Sequence, residues 1–288
     1  NGIHDITNAQ YHADAAISRS SLMLMLKSPF HYKNKDLVEF KESKSMRIGS
    51  MVHTLTMEPH LFDSEYIIKP ELLPLPKVGL LKDLGRAVFD EQKGVREHAK
   101  AYNDDISKVF EEKIKDGLIV VDIAELETAK LMVSSLNSSE QIKQLFDKAD
   151  IEKSIFWEDK ETGIALKARP DAFKSNLVID LKTTKSADPR KFMYSCLDYS
   201  YFLQAAMIRE AFKSLGREMG QYIIICVENS APYAHAVYVL EEEAIDYGYK
   251  QFRSCLDKLS DCMMTGVWPS YDTQMISVPE YLKGNNNE

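Results

Sequence analysis

The chain has 288 residues, 44% hydrophobic and 28% charged, with a net charge of −8. That is ordinary globular composition, long enough for a large core in one domain or two, and no apolar run is long enough to span a bilayer. The acidic balance argues against a non-specific coat on nucleic acid, but it leaves room for a local basic channel or for acidic clusters that hold metal ions.

The first residue is Asn1 rather than Met and no signal-peptide pattern follows, so a trimmed or processed start is expected. Residues 18–34 read as a first helix, with Ser20 as N-cap, Leu22, Leu24, Met25 and Leu26 as apolar bulk, and Pro29 as its end. Residues 46–59 read as a second, with Ile48, Val52 and Leu55 on one face. Gly49 inside it costs about 1 kcal/mol against Ala, which points to close packing or close approach. Residues 69–85, rich in proline, read as a mobile loop. Amphipathic helices follow near 86–116 and 123–136. Asp122 and Glu125 form a capping box for the second, and Leu126, Ala129, Val133 and Leu136 share a face.

From residue 151 the character changes. Segments 152–159, 163–173 and 177–182 read as three strands joined by tight turns at 160–162 and 174–176. Asp188-Pro189 opens a helix, and a longer one, about 199–215, stops at Gly216. Strands near 221–227 and 233–240 and a helix over about 241–264 follow. The tail 284–288 is expected to be disordered. This order predicts an α/β or α+β fold with a central mixed sheet. The four cysteines, Cys196, Cys226, Cys255 and Cys262, form no CxxC pair and no zinc spacing. Free thiols in a reducing cytoplasm are expected, and the spacings lend little support to an iron–sulfur cluster.

The chemistry concentrates in 178-VIDLKTTKS-186. Strand alternation points Asp180 and Lys182 the same way. A turn centred on Ser175 and Asn176 sets Asp171 opposite Asp180, with Cβ atoms about 5 Å apart. Two carboxylates that close repel unless a cation bridges them. Oxygen ligands suit Mg²⁺ or Mn²⁺, and Lys182 could orient a water or stabilise a phosphate oxygen. The plainer reading is a surface ion pair worth little. It accounts for Asp180 and Lys182 alone but fits poorly a hydrophobic strand with Asp171 facing it after Arg169-Pro170.

Pro170-Asp171 followed by Asp180-Leu181-Lys182 resembles the signature of the PD-(D/E)xK nuclease superfamily, in its D-x-K form. The upstream 49-GSMVH-53 is similar to the GxxxH motif of the RecB-like branch, and 163-GIALKARPDAF-173, 179-IDLKTT-184 and 45-SMRIGSMVHTLTMEPHLF-62 resemble the RecE-type exonuclease domains of phage recombination. The resemblance runs from about Ile17 to the last helix. It implies a restriction-endonuclease-like core in a single nuclease domain over 1–288. Residues 1–150 would be mainly helical, 151–265 the catalytic sheet core and 266–288 a tail.

It further implies that His53, Asp171, Asp180 and the Leu181 carbonyl hold metal, with Mg²⁺ as the ion and Mn²⁺ as a substitute, and that Lys182 is catalytic. His53 alone reads more simply as a packed helix histidine, and Glu58 as a helix-end cap. The branch carries a glutamine followed four residues later by tyrosine. Gln204 fits, with a solvent-facing polar residue as the equal alternative, but the partner position is Ile208, and Tyr201 is the candidate substitute. Lys182, Lys185, Arg190 and Lys191 would form a phosphate track, with Arg19 and Lys27 serving a terminal phosphate.

The activity implied is a processive 5′-to-3′ exonuclease on double-stranded DNA ends that leaves 3′ single strands. The family context implies a homo-oligomeric ring (trimer or tetramer), a single-strand annealing protein as partner, no membrane, and the cytoplasm of a bacterial or phage-infected cell. The alternatives are an endonuclease of the same fold and an inactive DNA-binding or assembly protein; the intact Asp171, Asp180 and Lys182 speak against the last.

Overall fold

The computed structural model describes residues 1–38, 42–75, 86–115 and 117–278. Its first half contains β1 (Gly2–His4), α1 (Asn8–Ala13), α2 (Arg19–Lys27), α3 (Pro29–Lys33), α4 (Lys44–Met57), α5 (Phe62–Glu65), β2 (Tyr66–Ile68), α6 (Arg86–Lys115), β3 (Ile119–Val121), α7 (Ile123–Asn137) and α8 (Glu140–Phe146). The second contains β4 (Asp150–Ile151), β5 (Ser154–Glu158), β6 (Ala165–Ala168), β7 (Ala172–Lys174), β8 (Leu177–Thr184), α9 (Pro189–Asp198), α10 (Tyr201–Ser214), β9 (Gln221–Glu228), β10 (His235–Val239) and α11 (Glu242–Thr265).

The central sheet runs β10-β9-β8-β7-β4, with β8 and β9 parallel and the other pairs antiparallel. This is the expected mixed sheet flanked by helices. A crossover through α9 and α10 joins the parallel pair, as such a connection requires. A second sheet, β1-β5-β6, stands beside it, and β2 and β3 form a small parallel pair.

Strand β8 is buried on both faces, which is why it reads as an apolar run. Val178 packs into one core with Phe173, Tyr222, Ile224 and residues of α10 and α11. Ile179 and Leu181 pack into a second with Ile48, Met51 and Val52 of α4 and Leu126, Ala129 and Met132 of α7. The Asp122–Glu125 capping box forms, and Glu125, 1% exposed, also receives Arg47 Nε and Nη2 at 2.9 and 2.8 Å. That forked contact fixes α4 against α7.

Four expectations need correction. The segment 163–173 is not one strand. It ends at Ala168 in one sheet and resumes at Ala172 in the other, because Pro170 has no N–H to give a ladder. The strand expected from 152 starts at Ser154, and Asp150-Ile151 pairs separately with β7. The N-cap of α2 is Ser18, not Ser20, whose hydroxyl instead meets that of Ser18 at 2.8 Å. Pro29 does not simply stop this helix but opens α3 at its first turn, where no N–H is required. Residues 69–75 carry no regular structure, while 76–85 of the expected loop and the tail 284–288 lie outside the described residues.

Candidate active site

The hairpin register is the one the turn implied: Ala172 faces Ile179, Phe173 faces Val178 and Lys174 faces Leu177. Asp171 lies one step beyond this ladder, at the corner where the chain leaves the smaller sheet. Its Oδ2 accepts the Leu181 backbone N–H at 2.7 Å, which locks the carboxylate against the middle of β8. Asp180 and Lys182 share a face, with Lys182 Nζ 2.7 Å from Asp180 Oδ1. The Gln204 side-chain amide of α10 donates to the same oxygen at 2.7 Å. Asp180 is 1% exposed. Burial pushes its carboxyl above the ordinary carboxylate range, and the Lys182 ammonium opposes this. Its other oxygen, Oδ2, has no hydrogen-bond partner among the described residues.

Gly49 explains how α4 reaches this strand. A Cβ there would lie 3.1 Å from Thr183 Oγ1, so the helix backbone runs close to β8 at that point. One turn on, on the same helix face, His53 brings Nδ1 to 3.7 Å from Asp171 Oδ2. The glycine and the histidine four residues apart are therefore one device: close approach first, then delivery of the imidazole.

The structure adds Glu152, which sequence reasoning read only as the start of a strand. It directly follows the two residues of β4, and its N–H donates to the Asp171 carbonyl at 3.0 Å. Its φ of 50° lies in the left-handed region, which costs a non-glycine residue about 1–2 kcal/mol. Ligand atoms of His53, Glu152 and Asp171 all lie within 4.8 Å of one another. Burial, then the charge of Asp171, holds the Glu152 carboxyl up at about 8, and Glu58 adds to the rise. Only a long-range strand pairing two residues long places Glu152 here, so no local pattern announces it.

This donor set fits a hard divalent cation. It offers carboxylate oxygens and one imidazole, a Glu152 carboxyl held protonated by burial and the charge of Asp171, and a buried oxygen of Asp180 that lacks a donor. Asp180 itself is turned toward Lys182 and Gln204 and stands outside the tight group of three. For Leu181, the structure records the backbone N–H as engaged by Asp171.

The site opens on a cleft of about 1570 Å³ lined by His53, Glu58, Glu152, Arg19, Lys185 and Tyr199, among others. Glu58 is thus in the cleft as well as at the end of α4. Gln204 is no solvent-facing residue, and Ile208 is 2% exposed in the core. Tyr201 lines the same cleft, its ring centroid 5.3 Å from Lys182 Nζ and 5.5 Å from the Arg19 guanidinium. Arg19 also donates to the Tyr199 carbonyl. Arg190 and Lys191 are exposed on α9 and do not line the cleft, and Lys27 sits in the last turn of α2, far along the helix from Arg19. Arg169 does not face the metal-type cluster as a ligand. It pins the N-terminal segment through Ser154 Oγ at 2.8 Å and the Ile6 carbonyl at 3.0 Å. All four cysteines are buried and free. No helix among the described residues is long and apolar enough to cross a membrane.

No curated protein matches the sequence. Among solved structures, a crystal structure described as a "Putative exonuclease" from Eubacterium rectale superposes with a TM-score of 0.58 at 12% identity, covering 98% of this chain and 99% of that one. At that identity the likeness speaks for the fold. A second structure, SSO0001, aligns at 18% identity over 75% of this chain and 84% of that one, with a TM-score of 0.27, too low to argue from. The sequence pattern of a family described as a PDDEXK-like domain of unknown function (DUF3799) matches residues 18–277. With nine-tenths of its length matched, and with Asp171, Asp180 and Lys182 gathered as they are, the chain belongs to this PDDEXK-like family.

Proposed function

We propose that the protein is a metal-dependent deoxyribonuclease acting as a single nuclease domain, and specifically an exonuclease on double-stranded DNA ends. The observation that carries the reading is the group of His53, Glu152 and Asp171 beside the Asp180–Lys182 pair, with His53 and Glu152 lining an open cleft. His53, Glu152, Asp171 and Asp180 would hold Mg²⁺, or Mn²⁺ in its place, with the Leu181 carbonyl as a further candidate donor. A divalent cation held there supplies a Lewis acid for a phosphate oxygen and acidifies a bound water.

The chain's own groups do the rest. Lys182 is held by one carboxylate oxygen and lies over the Tyr201 ring, so its ammonium is fixed where it can position a water or meet charge developing on a phosphate. Gln204 helps fix Asp180 by donating to the same oxygen as Lys182. Lys185 and Arg19 line the cleft, where they would take backbone phosphates, and Arg190 and Lys191 would extend that track over α9. By resemblance, cleavage runs processively 5′ to 3′ and leaves 3′ single strands for recombination, in a cytoplasmic homo-oligomeric ring of three or four copies that works with a single-strand annealing protein.

The test is linear duplex DNA labelled at either the 5′ or the 3′ end, incubated with and without Mg²⁺, beside closed circular DNA. Stepwise release of 5′-terminal nucleotides from linear duplex alone is expected. Cutting of closed circles would make it an endonuclease, and retention of DNA without any cleavage would make it a binding protein.

A further inference from the structure

Beneath Asp180 lies a buried group that the proposed chemistry does not use. Tyr222 of β9 is 0% exposed, and its hydroxyl makes no well-formed hydrogen bond among the described residues, although the Asp180 carboxylate is near it. A buried hydroxyl left in that state is costly. In the parallel register Asp180 faces Ile224 and Val178 faces Tyr222. Alternation then puts Tyr222, Ile224, Val178 and Asp180 on one face of the sheet, with Tyr222 the diagonal neighbour of Asp180. Val178, Tyr222 and Ile224 all enter the same core.

The polar count around Asp180 is uneven. A carboxylate offers about four lone-pair positions. Lys182 and Gln204 both use Oδ1, and Oδ2 has no donor. Among the described residues, two buried acceptors here, Asp180 Oδ2 and Gln204 Oε1, and one buried O–H, that of Tyr222, therefore lack a well-formed hydrogen bond. The phenol O–H has a proton to give, and the Asp180 carboxylate lies within its hydrogen-bonding reach.

We propose that Tyr222 is a positioning residue whose hydroxyl donates to Oδ2 of Asp180, fixing the carboxylate from below as Gln204 and Lys182 fix it from the other side. One lone pair of Oδ2 then remains for a cation, so the arrangement completes the site without blocking it. The inference rests on the nuclease reading for its consequence, but the hydrogen bond can be tested without it.

The experiment is a double-mutant cycle in metal-free buffer with Tyr222→Phe, Asp180→Ala and both changes, read by thermal unfolding, together with Mn²⁺ titration of the wild type and Tyr222→Phe by calorimetry. Tyr222→Phe keeps the ring and removes one oxygen. In the wild-type background it should lower Tm by about 3–8 °C, as loss of a hydrogen bond to a charged group does in a chain of this size. In the Asp180→Ala background the same change should leave Tm unchanged or raise it. Mn²⁺ affinity should fall about tenfold in Tyr222→Phe, the scale seen when a group supporting a metal ligand is lost. If Tyr222→Phe raises Tm equally in both backgrounds and Mn²⁺ affinity is unchanged, the hydroxyl is an idle buried group and the proposal is wrong. If the wild type neither binds Mn²⁺ nor cleaves DNA, the nuclease reading fails, while the thermal cycle still decides the hydrogen bond.

Discussion

Glu152 offers the sharpest test of the site, because its environment sets a sign and a pH window. Its carboxyl is shifted from 4.5 to about 8, by burial first and then by Asp171 and Glu58, with Arg169 and Lys182 pulling the other way. A raised carboxyl pKa means that the folded state keeps a proton the unfolded chain releases. Below pH 4.5 both states are protonated and there is no penalty. From 4.5 to 8 stability falls as pH rises, and above 8 the loss is complete. One pKa unit corresponds to about 1.4 kcal/mol, so the shift is worth at most about 5 kcal/mol. Because Glu152 titrates together with a neighbouring group, about 2–3 kcal/mol of this falls to its own side chain.

Glu152→Gln keeps the shape and removes the charge. The variant should therefore match the wild type near pH 4.5–5 and exceed it in Tm by about 5–10 °C at pH 8.5 in the presence of a chelator. Adding Mn²⁺ at pH 8.5 should stabilise the wild type more than the variant, because the cation offsets a repulsion the variant no longer has. The assay is thermal unfolding from pH 5 to 9, with chelator or with Mn²⁺. Equal pH profiles, or a variant less stable at pH 8.5, would refute the reasoning about this cluster.

Asp171→Ala and Asp180→Ala should each abolish Mg²⁺-dependent cleavage while circular dichroism stays native; cleavage near the wild-type rate in either would remove that carboxylate from the site. Lys182→Arg should leave metal affinity within about threefold but not restore the activity lost in Lys182→Ala, since a planar guanidinium cannot replace a compact ammonium 2.7 Å from Asp180; strong activity in the Arg variant would reduce Lys182 to a local charge. Gly248→Ala should cost more than about 3 kcal/mol in urea unfolding, because its Cβ would stand 2.0 Å from the Phe202 carbonyl oxygen, where α11 presses on α10; a neutral result would mean the two helices separate easily. Changing Lys185 and Arg190 together to Glu should weaken DNA binding and flatten its salt dependence, whereas Lys130 of α7 and Lys143 of α8, which do not line the cleft, should matter little; equal losses would place the DNA path elsewhere.

Much of the molecule is written locally in its sequence. The apolar periodicities of 44–57 and 123–137, the capping box at Asp122 and Glu125, and the Asp188-Pro189 helix start depend on neighbours within one or two turns, and they fold as their patterns require. The hairpin register that places Asp171 against Asp180 is equally local, since a short turn fixes every pair along its two strands. Gly49 pointed to a close approach of its helix, and the resemblance of 49-GSMVH-53 implied a role for His53, though neither said where that helix would meet the sheet.

The tertiary structure decided the remainder. The break at Pro170 became a corner between two sheets only because β6 and β7 found different partners. Glu152 entered the site through a pairing of two residues that carries no pattern of its own. Tyr222 reads in the sequence as one more apolar strand residue, and it stands beneath Asp180 because β9 lies parallel to β8 in one register and not another. Local chemistry sets the angles and faces of each element, but which faces meet depends on closing long stretches of chain, whose entropy cost is recovered only when both cores are buried together.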